Sequence, residues 1–216
     1  MKIQLRKNHK FLSSAGYIKQ ICQPLACLNI HLFTYLKKFS DGGQINLSSD
    51  PEWVHDYYNL GLFETSEYEN LSFAKNTRLQ LWSDSDLPVF QHGRTYYKSY
   101  YGFTISQQQP DGYEFYFFSF SPENYHMLNV CLNNLHLIEK FIMYFNEKAA
   151  SIINDCQEHK IYLNQFNSLS ENSKSLSMDS NELCNSFLSA IQGNPLAELL
   201  NQHEPLSKRE KECLNL

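Results

Sequence analysis

Residues 112–121 read GYEFYFFSFS, and this stretch decides the fold. Successive residues of a β-strand point to opposite faces of a sheet, and here both faces are aromatic. The residues concerned are Tyr113, Phe115 and Phe117 on one face and Tyr116, Phe118 and Phe120 on the other. A strand that is apolar on both faces must be covered on both sides. We therefore predict the α+β class: an α-β-α sandwich with helices on both faces of an antiparallel sheet.

Four more segments have the pattern of strands. Residues 28–36 alternate and are followed by the turn Ser40-Asp41-Gly42-Gly43 and by residues 44–47, which is the signature of a hairpin. Residues 78–82 and 99–107 are the other two, and Pro110-Asp111-Gly112 is a turn that joins 99–107 to the aromatic strand. The sequence thus predicts a five-stranded antiparallel sheet.

Two helices are predicted next to these strands. Asp50 is suited to cap a helix and Pro51 to its first turn, so Trp53 and Tyr57 share one face of a helix that ends near Gly61. A long helix begins at Pro122-Glu123 and carries apolar residues three or four apart. These are Leu128, Leu132, Leu135, Ile138, Ile142 and Phe145. A second apolar stripe indicates either a partner surface or a helix wedged between the sheet and a neighbouring helix. It comprises Met127, Cys131, Phe141 and Tyr144.

Composition excludes several classes of protein. The chain has 216 residues, 42% of them hydrophobic, and 18 basic residues against 23 acidic ones, for a net charge of -5. This suits an ordinary globular domain and excludes a basic surface over the whole chain, although residues 1–40 hold seven basic residues and no acid. No stretch approaches the roughly 18 apolar residues of a membrane span, and no secretory signal is evident. The six scattered cysteines are typical of buried thiols in a reducing cytoplasm.

The end of the chain differs in composition from the rest. Residues 164–179 are rich in Ser, Asn and Leu without a period, and a short helix is predicted over 181–192. We therefore divide the chain into a main domain (1–163), a linker region with a short helix (164–205) and a final segment (206–216). In that segment Ser207 and Glu210 form a capping box, so a new helix begins there.

Residues 206–216, LSKREKECLNL, resemble the opening of the LuxR-type helix-turn-helix, whose first helix begins with a pattern like L-[ST]-x-R-E-x-E-[VC]-L. Residues 20–150 resemble the autoinducer-binding domain of quorum-sensing regulators in the same family. The family's motifs occur in order, as Pro51-Glu52-Trp53-Val54-x-x-Tyr57, Trp82-Ser83-Asp84, Tyr101-Gly102-Phe103-Thr104-Ile105, Asp111-Gly112 and Phe118-Ser119-Phe120-Ser121. The family fold is an α-β-α sandwich with a five-stranded antiparallel sheet.

The resemblance implies a site for an acyl-homoserine lactone between the sheet and the helices on one side. By this resemblance, Trp53 donates its indole N–H to the lactone carbonyl and Tyr57 its hydroxyl to the amide carbonyl. Trp82 packs against the lactone ring, and Ser119 adds a hydroxyl. A mostly apolar pocket with a few fixed donors is how proteins hold small amphiphiles.

The family's aspartate, which accepts the ligand's amide N–H and is usually followed by proline, has no counterpart. The family's interval from Trp53 leads to Ser66 and then Glu67, so Glu67, or else Glu64, is the candidate acceptor. The same spacing leaves Leu81 as an alternative to Trp82, and adjacent strand residues face opposite ways. We therefore expect a small amphiphilic signal, which need not be a standard acyl-homoserine lactone, or else no ligand.

These features predict the sensing domain of a LuxR-type transcriptional regulator that forms a homodimer in the cytoplasm and contacts DNA only through a domain missing from this chain. The alternative is an interaction protein, either an orphan that pairs with related regulators or a PAS- or GAF-type module that binds only protein. No enzyme motif occurs, so we expect no catalysis and no cofactor. Cys22, Cys27 and His31 resemble half of a metal site, but no second Cys/His pair stands at a suitable spacing, which favours structural thiols.

Overall fold

An antiparallel sheet of six strands lies at the centre of the fold. The structure, a computed structural model, describes residues 2–66, 78–82 and 86–163. Its strands are β1 (Leu32–Phe39), β2 (Gly43–Ser48), β3 (Leu79–Leu81), β4 (Tyr101–Gln109), β5 (Gly112–Phe120) and β6 (Ile161–Tyr162). Their order across the sheet is β3-β4-β5-β1-β2-β6. The prediction of an α+β fold with one antiparallel sheet is confirmed.

Helices lie on both faces of this sheet. In the described residues they are α1 (Lys10–Ser13), α2 (Ala15–Ile21), α3 (Pro51–Asn59), α4 (Pro88–Tyr97), α5 (Tyr125–Asn133) and α6 (Leu135–Cys156). Short 3-10 helices occupy Gln23–Leu28, Leu62–Thr65, Pro122–Asn124 and Gln157–His159. Helix α6 packs on one face of the sheet, and α3 and α4 cover the other. Within the described residues, no helix has both the length and the apolar character needed to cross a membrane.

Two expectations about the strands were wrong. The sheet has a sixth strand, β6, in which Ile161 pairs with Gln44 of β2; two residues are too few for alternation to reveal. The first strand begins at Leu32 and not at residue 28, because Gln23–Leu28 forms a 3-10 helix and Asn29 follows with a left-handed backbone (φ 53°). The alternation of residues 28–31 therefore belongs to the turn that leads into β1.

The long predicted helix is interrupted at Asn134. This residue leaves the helical conformation (φ -128°, ψ 41°), so α5 ends at Asn133 and α6 begins at Leu135. Its side-chain amide donates to the carbonyl of Val130 at 2.9 Å, which satisfies an acceptor that a continuous helix would have used. Asparagine side chains compete with the helical backbone in this way. The residue pair Asn133-Asn134 thus divides the apolar pattern into two helices.

The face of the sheet toward α6 is densely aromatic. Phe33 of β1 contacts Phe141 and Phe145 of α6, with ring centroids 5.3 Å and 4.9 Å apart. Phe118 of β5 lies beside Phe33 at 5.3 Å and has no exposed surface. Burial of this kind is the main source of stability in a small domain. This face is therefore the principal core.

The same face contains a buried carboxylate with partners for both of its oxygens. Glu114 of β5 accepts hydrogen bonds from the hydroxyls of Tyr35 (2.9 Å) and Tyr116 (2.8 Å) and from the Gln109 amide (2.8 Å), and Lys37 lies 3.6 Å away. Burial and the nearby carboxylate raise the pKa of Tyr35 well above its ordinary value, so its hydroxyl stays a donor. Polar groups in this core are paired, as buried polar groups generally are.

The cysteines differ in part from the expectation. Cys22, Cys131 and Cys156 are buried free thiols, and burial raises the pKa of Cys22 to about 12. Cys27, in contrast, is exposed, so the prediction of buried thiols was wrong for this residue. Cys184 and Cys213 lie outside the described residues, as do the predicted linker region 164–205 and the final segment 206–216.

Candidate ligand-binding site

A cavity lies between the sheet and helices α3 and α4, on the side of the sheet opposite α6. The space within it, open solvent at its mouth included, is about 650 Å³. Fourteen residues of the described chain line it, and none of them is charged. They are Leu32, Thr34, Leu36, Asn46, Trp53, Tyr57, Ser66, Trp82, Val89, Phe90, Gly93, Ser99, Phe117 and Ser119. An uncharged, mostly apolar wall with a few hydroxyls suits a small amphiphile.

Alternate residues of the sheet strands form the floor of this cavity. Leu32, Thr34 and Leu36 of β1 point to the cavity, while the residues between them point to α6. In the sheet register Leu32 pairs with Ser119 of β5, and Leu36 pairs with Asn46 of β2. Ser119 and Asn46 therefore lie toward opposite ends of the cavity floor.

Helix α3 supplies the two aromatic residues that the sequence placed on one face. Asp50 caps the helix by accepting from the backbone N–H of Glu52 at 2.9 Å, as predicted. Trp53 and Tyr57 follow one turn apart, with ring centroids 6.4 Å apart, and both line the cavity. No described residue accepts a hydrogen bond from the Trp53 indole N–H, so this donor is available to a ligand.

Trp82 lines the cavity from beyond the end of β3. Its backbone N–H donates to the Gly102 carbonyl and its indole N–H to the Thr104 hydroxyl, both at 2.9 Å. The ring lies against Gly102, where a Cβ would come within 2.5 Å of it. Leu81 faces the other side of the sheet and is 48% exposed, so of the two alternatives it is Trp82 that meets the cavity. Because its N–H is already used, Trp82 offers a ring face and no donor.

A pair of serines forms the polar end of the cavity on β5. Ser119 is only 1% exposed, and its hydroxyl donates to the Ser99 hydroxyl at 2.8 Å. Ser99 follows α4, and a Cβ on Gly93 would lie 3.5 Å from Ser99 and 3.8 Å from the Trp53 ring. The serine pair and the Trp53 indole therefore face the same part of the cavity.

A carboxylate behind Trp53 connects α3 to α4. Asp56 Oδ2 lies 2.8 Å from His92 Nε2 and accepts a hydrogen bond from the Tyr97 hydroxyl at 2.8 Å. Burial acts to raise the pKa of the Asp56 carboxyl, but hydrogen bonds from Tyr97 and from two histidines outweigh burial and hold the pKa below its ordinary value. The Trp53 ring packs edge-on against Tyr97, with centroids 5.2 Å apart. Asp56 is thus a positioning residue for the cavity wall.

Asn46 is the polar lining residue at the other end of the floor. It is 2% exposed, and its carbonyl oxygen is buried with no hydrogen-bond partner in the described part of the chain. A buried acceptor without a partner costs about 1–3 kcal/mol. The side-chain oxygen of Gln44, which does not line the cavity, is in the same state, and each such group calls for an explanation.

The structure brings together four of the five predicted site residues: Trp53, Tyr57, Trp82 and Ser119 all line the cavity. Glu67 lies outside the described residues, although the preceding residue, Ser66, lines the cavity. The alternative acceptor, Glu64, is exposed on the 3-10 helix Leu62–Thr65 and is not part of the lining. Their roles toward a ligand stay predictions.

Sequence reasoning missed helix α4 and the polar end at Asn46. Helix α4 contributes Val89, Phe90 and Gly93 to the lining. A signal for this helix exists, since Pro88 stands at its first position and apolar residues follow. Asn46 lay within a predicted strand, and alternation from Gln44 would have placed both residues on one face.

No group of three or more metal-ligating side chains occurs among residues 2–66, 78–82 and 86–163. The described chain is an α+β domain whose sheet encloses a cavity under two helices. Its structure is similar to the crystal structure of CepR2 from Burkholderia cenocepacia, an N-acylhomoserine lactone-dependent LuxR family transcription factor. The sequences are 12% identical, the TM-score is 0.45, and the match covers 68% of this chain and 96% of that chain. No family model and no curated protein matches the sequence.

Proposed function

We propose that this chain contains the signal-sensing domain of a LuxR-type transcriptional regulator and that its cavity binds a small, uncharged, amphiphilic molecule. One observation carries the proposal: Trp53, Tyr57, Trp82 and Ser119 belong to motifs far apart in the sequence, yet all line one cavity. If these motif residues served only to pack the core, we would not expect all of them to line an unfilled space. The ordered LuxR-like motifs in the sequence supply the regulatory part of the proposal.

The lining indicates how such a molecule would be bound. The Trp53 indole N–H and the serine pair supply hydrogen bonds at one end, while Trp82, Phe90 and the β1 leucines supply apolar contact. With no charged lining residue in the described chain, a carboxylate or ammonium ligand would lose its hydration without an opposite charge in return. A neutral ligand with a polar head and an apolar body fits best.

Ligand binding can be measured through the site itself, because Trp53 and Trp82 are the chain's two tryptophans and both line the cavity. We expect a member of a panel of N-acylhomoserine lactones and other neutral amphiphiles to change the intrinsic fluorescence saturably. The same compound should stabilise the fold by about 2.7 kcal/mol at a concentration 100-fold above Kd, measured by thermal unfolding.

Two variants sharpen this measurement. Trp53→Phe keeps an aromatic ring but removes the donor, and it should weaken binding by about fivefold or more. Tyr17→Phe changes an exposed residue whose hydroxyl donates to the Lys148 carbonyl on the α6 side, and it should leave binding unchanged. A panel that changes neither fluorescence nor unfolding temperature would reject the sensor and favour the interaction protein.

The proposal includes a homodimer in the cytoplasm and DNA contact through a domain beyond the described residues. On α6 the apolar side chains Leu137, Met143 and Tyr144 are exposed, Met143 by 73%, which supports this helix as the dimer surface. Sedimentation should therefore show a dimer that Met143→Lys weakens. A monomer at every concentration would remove this part of the proposal.

A further inference from the structure

We propose, on the basis of the proposed function, that the ligand carries a hydroxyl or N–H donor at its far end and that Asn46 binds this group. The far end is the part of the ligand that lies over β1 and β2, away from Trp53 and Ser119. The ligand class is then an elongated neutral molecule that is polar at both ends and apolar between them. A plain alkyl tail does not meet this requirement.

Three polar side chains near Asn46 on this face of the sheet donate to other groups. The Thr34 hydroxyl donates to the Ser48 hydroxyl at 3.1 Å, and Ser48 donates to the Phe33 carbonyl at 3.0 Å. Gln44, two residues before Asn46 on the same face of β2, donates its amide to the Tyr58 hydroxyl at 2.8 Å. None of these three donates to the Asn46 carbonyl, which has no hydrogen-bond partner in the described part of the chain.

Burial makes this arrangement specific to a donor that enters through the cavity. Asn46 is 2% exposed and lines the cavity, while its cross-strand partner Leu36 is apolar. Bulk water does not solvate the carbonyl, and a group that enters the cavity can supply the donor that the described residues do not. An alkyl group in that place would keep the acceptor unpaired.

The sheet register defines the length of the ligand. Ser119 lies opposite Leu32, and Asn46 lies opposite Leu36. Leu32 and Leu36 are four residues apart on β1, which is about 13 Å along a strand. Between these levels lie Phe117 and Thr34, and the Thr34 hydroxyl already donates to Ser48. The two polar groups of the ligand are therefore separated by a medium-length apolar segment.

The test compares N-acylhomoserine lactones with alkyl tails, from hexanoyl to dodecanoyl, with ω-hydroxyacyl analogues of equal length. Binding to the full chain is measured by tryptophan fluorescence and thermal unfolding. We expect an ω-hydroxy analogue to bind about 5- to 150-fold more tightly than its alkyl counterpart. In Asn46→Leu this preference should be lost or reversed, and the ligand-free variant should be at least as stable as the unaltered protein. Asn46→Val serves if the leucine does not fit.

Gln44→Leu is the matched control, because Gln44 is buried on the same strand and face but does not line the cavity. It should lower stability through the lost bond to Tyr58 and leave the hydroxyl preference intact. If the alkyl and ω-hydroxyacyl lactones bound with equal affinity, and Asn46→Leu changed neither, this inference would be overturned. The proposal of a signal-sensing domain would still hold. Equal affinities are also the result expected if a bound water already satisfies Asn46. Failure of both series to bind would overturn the inference and reject lactone-type signals.

Discussion

The two faces of β1 and β5 are made by alternating residues of the same strands, yet one face packs into the core and the other borders the cavity. Toward α6, Phe33 and Phe118 pack ring against ring, and the buried carboxylate of Glu114 has a donor for each oxygen. Toward α3 and α4, the floor includes Thr34, Ser119 and open space, and nearby Asn46 lacks a partner in the described chain. Ring contacts and paired polar groups characterise the face toward α6, while open space and an unpaired acceptor characterise the face that can admit a molecule.

The largest expected effect is on stability, and it should differ between residues on the two faces of β5. Phe118→Ala removes a fully buried ring that contacts Phe33 and Phe141, and it should lower the free energy of unfolding by about 3–5 kcal/mol. Phe117→Ala changes the adjacent, half-buried residue beside the cavity and should cost clearly less. Urea unfolding followed by circular dichroism measures both. Equal losses would contradict the division into a core face and a cavity face.

A smaller effect should follow from adding a methyl group at the cavity edge. A Cβ at Gly102 would come within 2.5 Å of the Trp82 ring and closer still to the Phe118 carbonyl oxygen, so Gly102→Ala must displace Trp82 or the strand. We expect a loss of about 1–3 kcal/mol and a change in tryptophan fluorescence.

Gly93→Ala is the control for this change, since its Cβ would lie 3.5 Å from Ser99 and 3.8 Å from Trp53, at ordinary contact distance. In the middle of α4 it should stabilise by about 0.5–1 kcal/mol. If the two alanine variants behaved alike, the close approach of Trp82 to β4 would be refuted.

The smallest expected loss of stability follows from removing the Asp56 carboxylate, which connects α3 to α4. Because its pKa is below the ordinary value in the folded protein, Asp56 contributes stability above the unfolded pKa of about 3.9, and this is lost as the pH falls through the folded pKa. Asp56→Asn should cost about 1 kcal/mol at neutral pH, with the difference in unfolding temperature narrowing in acid.

Asp155→Asn is the control, because it removes an exposed ion pair with Lys10. It should change stability by less than about 0.5 kcal/mol at every pH. A difference between Asp56→Asn and the unaltered protein that stayed constant down to acidic pH would show that the Asp56 charge has no part in connecting the helices.

Local patterns predicted much of the fold and part of the site. The Asp50 cap and the spacing of Trp53 and Tyr57 placed two lining residues on one helix face, because capping and helical periodicity depend on neighbouring residues alone. The break at Asn134 was missed, since a helical apolar pattern continues across it and only the backbone shows the interruption. Helix α4 was missed because it has few apolar residues and because Gly93, a poor helix former, lies in its interior.

By itself, the sequence determined that a sheet strand with aromatic residues on both faces must be covered on both sides, because period-two alternation is a local property of the chain. Only the tertiary structure decided which face is filled and which encloses a cavity. That outcome depends on where α4 lies, on whether Trp82 or Leu81 turns inward, and on which donors surround Asn46. These are contacts between residues distant in sequence, and the register and packing of the whole domain decide them.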